Sequence, residues 1–172
     1  MTKTMTLLTF AFLLTACSST YQHSALQNPT AKLDPAKSVL VAVPENGWYG
    51  DKVYHNSGLM TANAVRGAFS KYTSKVFIAT NCIGDECLKQ LDANQYGYFV
   101  KPIILHWEDR ATEWSGIPDT IEIQLIVLDA QTKQEIANAS YTGKSKWATF
   151  GGDHPQDLLP EPTNAFVSRL YK

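Results

Sequence analysis

The spacing of apolar residues predicts alternating strands and helices in the first half of the chain. Short apolar runs rich in β-branched residues over 38–43 and 75–79 indicate two buried strands. Between them, apolar residues recur every three to four positions from about 58 to 72, which places them on one face of a helix. Asn56 or Ser57 is expected to cap that helix.

The second half of the chain has the pattern of a strand meander followed by a helix. A short helix is expected from 85 to about 94, followed by a long strand over 96–107. Apolar and polar residues alternate strictly over 120–128, a further strand runs from 135 to about 147, and a last helix covers 163–171. The order β-α-β-α-β-β-β-α predicts an α/β (α+β) fold with a single mixed sheet of about five strands and helices mainly on one face.

Composition and charge limit the classes of protein that fit this pattern. The chain has 172 residues, is 44% hydrophobic and 18% charged, and carries 15 basic against 16 acidic side chains. This composition excludes a collagen, a coiled coil and wholesale disorder, and a net charge of -1 gives no basic field for nucleic acid. We expect one globular domain over residues 37–172 and no nucleic-acid partner.

The first sixteen residues have the pattern of a bacterial signal peptide. Lys3 precedes ten mostly apolar residues, 5–14, which as a helix would be about 15 Å long, half of what a membrane span needs. The segment ends in Leu14-Thr15-Ala16-Cys17, which resembles the lipobox of bacterial lipoproteins. The resemblance implies removal of residues 1–16, a diacylglycerol on the Cys17 sulfur and a palmitate-type acyl chain on its new amine. The alternative is an ordinary secretory signal beside an incidental cysteine.

The lipobox resemblance also implies a location. In Gram-negative lipoproteins a residue other than Asp after the lipidated cysteine, here Ser18, favours the outer membrane. We therefore expect a lipid-anchored domain on the periplasmic side of that membrane. The polar segment 17–36 is expected to be a flexible tether between the anchor and the domain.

Two cysteines remain besides Cys17. In an oxidising compartment, the Cys82-x4-Cys87 spacing most simply predicts a local disulfide at a strand-to-helix junction. Free thiols remain possible, as does metal or redox chemistry. The spacing is not that of a redox C-x-x-C motif, and no histidine lies near in sequence.

Longer segments of the chain carry a resemblance to a family. The lipobox, the run 96–100 and the segments 106–116 and 144–155 look like those of an uncharacterised family of proteobacterial outer-membrane lipoproteins. The element order is distantly similar to the amino-terminal domain of TolB and to the periplasmic domain of the curli secretion lipoprotein. The resemblance implies a module for envelope assembly or interaction, not an enzyme.

Chemistry-bearing residues are densest in two segments. In the first, 106–110, a strand places His106 and Glu108 on one face and Trp107 and Asp109 on the other. A histidine beside a carboxylate fits a general base or half of a metal site. The alternative is a hairpin end with solvated charges and tryptophan rings that cover the sheet.

The second segment, 144–154, ends in a loop with Asp153 and His154 that could approach the first. If the two meet, a metal-binding or hydrolytic site becomes possible, although no known catalytic motif is present. That site would use His106, Glu108, Asp109 and His154.

These patterns favour a non-enzymatic module that binds an envelope protein or associates with itself. Alternatives are the metal-binding or hydrolytic protein and a binder of small molecules or glycan fragments. No cofactor, metal or catalytic residue is predicted beyond the covalent lipid. A further interpretation is an exposed aromatic patch for a protein or glycan partner, and the alternative is that most of its residues belong to the core. The patch would consist of Trp48, Tyr49, Trp107, Trp114 and Trp147. The candidate binding surface consists of His106, Trp107, Glu108, Asp109, Arg110, Trp114, Trp147, Asp153 and His154.

Overall fold

A computed structural model describes residues 19–26, 29–110, 117–146 and 154–172. The elements are β1 (Thr20–Leu26), β2 (Val39–Ala42), β3 (Trp48–Tyr49), β4 (Lys52–Val53), α1 (Ser57–Phe69), β5 (Val76–Ala79), α2 (Asp85–Lys89), β6 (Tyr98–Glu108), β7 (Thr120–Asp129), β8 (Glu135–Lys144), a 3-10 turn (Pro155–Leu158) and α3 (Pro160–Tyr171). The main feature of the fold is a six-stranded sheet in the order β1-β8-β7-β6-β2-β5, with a separate two-stranded hairpin, β3–β4.

The sheet is mixed, as the element order predicts. β2 runs parallel to β5 and β6, whereas β6, β7 and β8 form an antiparallel meander. β1 adds a further antiparallel strand beside β8. The expected α+β class is therefore confirmed, with six strands instead of about five.

The core lies between one face of the sheet and the helices α1 and α3. The alternation in β7 contributes most clearly to this core, because it places four apolar side chains on the same face, where they are fully buried. These are Ile121, Ile123, Leu125 and Val127. α1 and α3 add the apolar faces that their spacing predicts, and burial of each large side chain contributes roughly 1.5–3 kcal/mol. On the opposite face, α2 and the Cys82–Cys87 disulfide cover a smaller cluster around Phe99. Helices therefore pack mainly on one face.

The start of α1 differs from the predicted cap. Asn56 has φ 69° and its side chain makes no capping hydrogen bond. The first turn instead uses Asn46 in the preceding loop, whose Oδ1 accepts a hydrogen bond from the Gly58 N–H at 3.1 Å. The Ser57 hydroxyl oxygen accepts from the Gly47 N–H at 2.8 Å. A cap supplied from outside the helix has no local sequence signature.

Part of the expected tether is a strand. Thr20–Leu26 pairs with β8 in antiparallel register, with Thr20 opposite Lys144 and a bulge between His23 and Ala25. Further along, Leu33 is buried and its N–H donates to the Leu170 carbonyl at 2.8 Å. Polar residues suit an edge strand because its ladder is made by the backbone. Residues 1–18, with Cys17 and the signal-peptide region, lie outside the described residues.

Other elements differ in extent from the prediction. α1 ends at Phe69 and α2 at Lys89, both earlier than predicted, while α3 begins three residues earlier, at Pro160. Proline is favoured in the first turn of a helix because that turn does not use its N–H. No helix of the described residues is long and apolar enough to span a bilayer.

Candidate functional site

The end of β6 brings the first candidate segment together as the strand period predicts. His106 Nε2 lies 3.3 Å from Glu108 Oε2, so the two side chains share one face of the sheet. The second carboxylate oxygen, Oε1, accepts a hydrogen bond from Arg110 Nε and forms an ion pair with Arg110 Nη2. The Glu108 side chain is 10% exposed, whereas those of His106 and Arg110 are 30% and 34% exposed.

Tyr49 of the hairpin completes this group. Its hydroxyl oxygen accepts a hydrogen bond from Arg110 Nη2 at 3.2 Å, and its ring meets the His106 ring edge-on with centroids 5.3 Å apart. The Arg110 guanidinium carbon lies 5.6 Å from the Tyr49 ring centroid. The Glu108 carboxylate, through its hydrogen bond, raises the pKa of Arg110 above its ordinary value. We call Tyr49, His106, Glu108 and Arg110 the polar array.

Close packing of the loop before the hairpin on β6 holds Tyr49 in place. Gly47 is buried against this strand, and a Cβ atom there would overlap Trp107 Cβ and lie 2.9 Å from Ile104 Cγ2. Trp107 itself is 2% exposed and belongs to the main core. Its inclusion in the candidate binding surface was wrong, because the strand period turns it toward the helices while His106 and Glu108 face away.

Asp119, just before β7, forms hydrogen bonds with residues that follow β6 and β8. Its Oδ1 accepts from the Arg110 backbone N–H at 2.6 Å, and its own N–H donates to Ser145 Oγ at 2.9 Å. The Ser145 N–H in turn donates to the Asp119 carbonyl at 3.0 Å. The residue is 1% exposed, and this burial raises the pKa of its carboxyl group. Asp119 therefore fixes the start of the segment that follows β6 against the end of β8.

The second candidate segment does approach the first. His154 Nδ1 lies 3.9 Å from Asp109 Oδ1, and both side chains are substantially exposed. Trp114, Trp147 and Asp153 lie outside the described residues. Within the described ranges, no group of three His, Cys, Asp or Glu side chains is arranged to hold a metal ion.

The charged and hydrogen-bonding groups of the polar array are paired with one another. The carboxylate faces a guanidinium on one oxygen and an imidazole on the other, and the guanidinium also reaches the tyrosine hydroxyl. Such a set presents a rigid, partly exposed tyrosine and arginine, the residue types most often found at binding hot spots. The sequence predicts Tyr49 as a member of an aromatic patch but does not pair it with His106 or Arg110, and it gives Asp119 no role in the site. Their only signals were the Gly47–Gly50 loop and the turn before β7.

A separate groove lies at the other end of the sheet. It has a volume of about 590 Å³, and Lys37, Lys75, Phe77 and Tyr96 contribute to its lining. Phe77 and Tyr96 make an edge-on ring contact there, with centroids 5.8 Å apart. None of the predicted site residues lines it.

Comparison with known proteins shows what the chain resembles. The model of a family described as "Domain of unknown function (DUF4823)" matches residues 31–170. The chain also resembles the PelC dodecamer from Paraburkholderia phytofirmans, with a TM-score of 0.65, 12% identity and coverage of 89% of this chain and 97% of that one. At this identity the likeness shows a shared fold. No curated protein matches the chain.

Two further solved structures are similar at lower TM-scores. Protein XCC0632 from Xanthomonas campestris is 17% identical, with a TM-score of 0.47 and coverage of 81% of this chain and 90% of that one. Lipoprotein GNA1162 from Neisseria meningitidis is 12% identical, with a TM-score of 0.43 and coverage of 77% and 96%. The comparisons give no support to the distant resemblance to TolB.

Proposed function

We propose that this chain, which belongs to the DUF4823 family of domains of unknown function, is a non-enzymatic binding and assembly module of the bacterial cell envelope. In this proposal Cys17 carries the lipid that ties the domain to the periplasmic side of the outer membrane. The lipobox-like Leu14-Thr15-Ala16-Cys17 supports the anchor. Acyl chains at roughly 0.8 kcal/mol per buried methylene make such an anchor effectively permanent.

The observation that carries the proposal is the mutual pairing within the polar array. A general base needs a free lone pair aimed at a substrate, and a metal needs further ligands. Glu108 is instead occupied on both oxygens, by His106 and Arg110. A partner can bury a surface whose charges are already paired at a lower desolvation cost than one whose charges are unpaired, and Tyr49 supplies contact area.

We further propose that the partner is another copy of this chain. PelC, which shares the fold, is a dodecamer. In the described part of this chain, β1 and β5 are the outermost strands of the sheet. A heterologous contact gives a ring when its rotation closes, and a ring of this kind is the proposed assembly. The polar array is the proposed contact surface.

Photo-crosslinking in living cells tests this proposal. p-Benzoylphenylalanine at position 49 is expected to give products at multiples of the protomer mass. The same group at position 133, in the exposed β7–β8 turn, serves as the matched control and is expected to give none. Arg110→Ala should reduce the position-49 product because it removes the cation paired with Glu108 and so disrupts the proposed contact surface. A position-49 variant that is correctly folded but yields no product, or an equal yield from position 133, would contradict the proposal.

A further inference from the structure

The sheet end at which β6 finishes also holds the start of the described domain. Thr20 pairs with Lys144, Lys144 pairs with Thr120, and Thr120 pairs with Glu108. Neighbouring strands are about 4.8 Å apart, so Thr20 lies roughly 15 Å across the sheet from Glu108. Cys17 precedes Thr20 by three residues, which extend to about 10 Å at most. An anchor on Cys17 is therefore close to this end of the sheet, which we call the anchor end.

The hairpin β3–β4 lies at the anchor end and has two different faces. Trp48 is paired directly with Val53, and Tyr49 with Lys52. Directly paired residues share a face of a hairpin, whereas neighbours along a strand alternate. Tyr49 therefore turns toward His106 and the polar array, while Trp48 and Val53 lie together on the other face. These two side chains are 65% and 50% exposed.

Other exposed side chains near the hairpin or at the anchor end also suit a membrane interface. The first turn of α1, which follows the hairpin, adds Leu59 and Met60 at 44% and 40% exposure. Lys144, paired with Thr20, is exposed. Tryptophan is enriched at headgroup level because its ring is apolar and its N–H is polar, and basic side chains that face the same membrane surface favour anionic headgroups.

We propose that Trp48 and Val53 insert into the headgroup region of the leaflet that holds the Cys17 acyl chains. The inference rests on the lipid anchor of the proposed function. The bilayer is the occupant because the anchor holds it beside the hairpin at high effective concentration, so even a weak apolar contact is populated. The insertion fixes the tilt of the domain and leaves the polar array, on the other face of the hairpin, free for a partner.

Fluorescence quenching by brominated lipid tests the insertion. The full-length chain, exported and acylated in cells, is reconstituted in phosphatidylethanolamine–phosphatidylglycerol vesicles with phosphatidylcholine brominated near the top of its acyl chains. Trp48→Phe should remove a quenched component of the tryptophan emission. A second variant, Trp48→Phe with Phe77→Trp, is the matched control. It restores an exposed tryptophan at position 77, where Phe77 is 47% exposed and lines the groove at the other end of the sheet.

The outcomes separate this inference from the proposed function. Loss of the quenched component in Trp48→Phe, with no quenching restored by the position-77 tryptophan, supports the insertion. Quenching that is unchanged in Trp48→Phe, or restored by the tryptophan at position 77, overturns the insertion. The lipid anchor is not affected by that outcome, because the protein is still acylated and bound to the vesicles. A parent chain that takes up no labelled palmitate and fractionates like Cys17→Ser overturns the anchor, and the insertion with it.

Discussion

Replacing Gly47 by alanine tests whether the packing of the hairpin loop on β6 builds the polar array. A Cβ at this position would overlap Trp107 Cβ and approach Ile104 Cγ2 to 2.9 Å, whereas ordinary contacts begin near 3.4 Å. Trp107 cannot move away freely because it is 2% exposed, and the Gly47 backbone is held because its N–H and C=O are both hydrogen-bonded. Overpacking of this kind costs about 1–3 kcal/mol.

Gly67→Ala provides the matched control for this substitution. Gly67 is an exposed position inside α1, and an added Cβ there meets nothing within 4 Å. Alanine has the higher helix propensity, so this variant should gain about 0.5–1 kcal/mol. The two Gly→Ala changes are thus expected to shift stability in opposite directions.

Urea and thermal unfolding measure both shifts, with roughly 2–4 °C of Tm expected per kcal/mol for a domain of about 150 residues. Gly47→Ala should also alter the near-ultraviolet circular dichroism of Trp107 and weaken crosslinking from position 49. Unfolding of Gly47→Ala at or above the parent's midpoint would refute the packing argument.

Three further changes have definite expected outcomes. Thr163 Oγ1 donates to the Leu159 carbonyl at 2.6 Å, so the Tyr141 hydroxyl donates to Thr163 Oγ1 at 2.9 Å. Thr163→Val leaves the buried Tyr141 hydroxyl without its acceptor and should lower the free energy of unfolding by about 1–3 kcal/mol, and Tyr141→Phe should lower it by about 1 kcal/mol. In urea unfolding, the double variant should lose less than the sum of the two. Additive costs would contradict this bond. Burial raises the pKa of Asp119, so its ionisation disfavours the folded state as the pH rises through and above the ordinary value. Asp119→Asn keeps an acceptor for the Arg110 N–H. In unfolding measured at several pH values it should therefore be more stable than the parent at pH 7 and equal to it at about pH 3. A stability advantage that persists at low pH would show that ionisation of Asp119 is not the cause. Changing Cys82 and Cys87 together to serine opens a loop with a sequence separation of 5. The free energy of unfolding should fall by about 2 kcal/mol relative to the oxidised parent and should not change relative to the reduced parent. An equal loss relative to the reduced parent would show that the disulfide is not the cause.

The regular strands were predictable because their signal is local. Alternation over 120–128 identifies the buried face of β7, and the same period of two places His106 beside Glu108 and turns Trp107 away from them. The final helix and the buried face of α1 follow equally from spacing three to four residues apart. In each case the side chains that determine the structure lie within one element.

The remaining features depend on contacts between distant segments. β1 has a polar sequence and is a strand because β8 offers a backbone edge more than a hundred residues later. Tyr49 belongs to the polar array because Gly47 lets the loop approach Trp107. Asp119 forms hydrogen bonds with Arg110, after the end of β6, and with Ser145, after the end of β8. None of these partners is visible in a window of sequence around the residue concerned.

The proposed lipid anchor is tested most directly by the mass of the amino-terminal peptide of the protein isolated from membranes. We expect a peptide that begins at Cys17 and carries a diacylglycerol on sulfur and a further acyl chain on the amine. A peptide that begins at any other residue, or an unmodified Cys17, would contradict it.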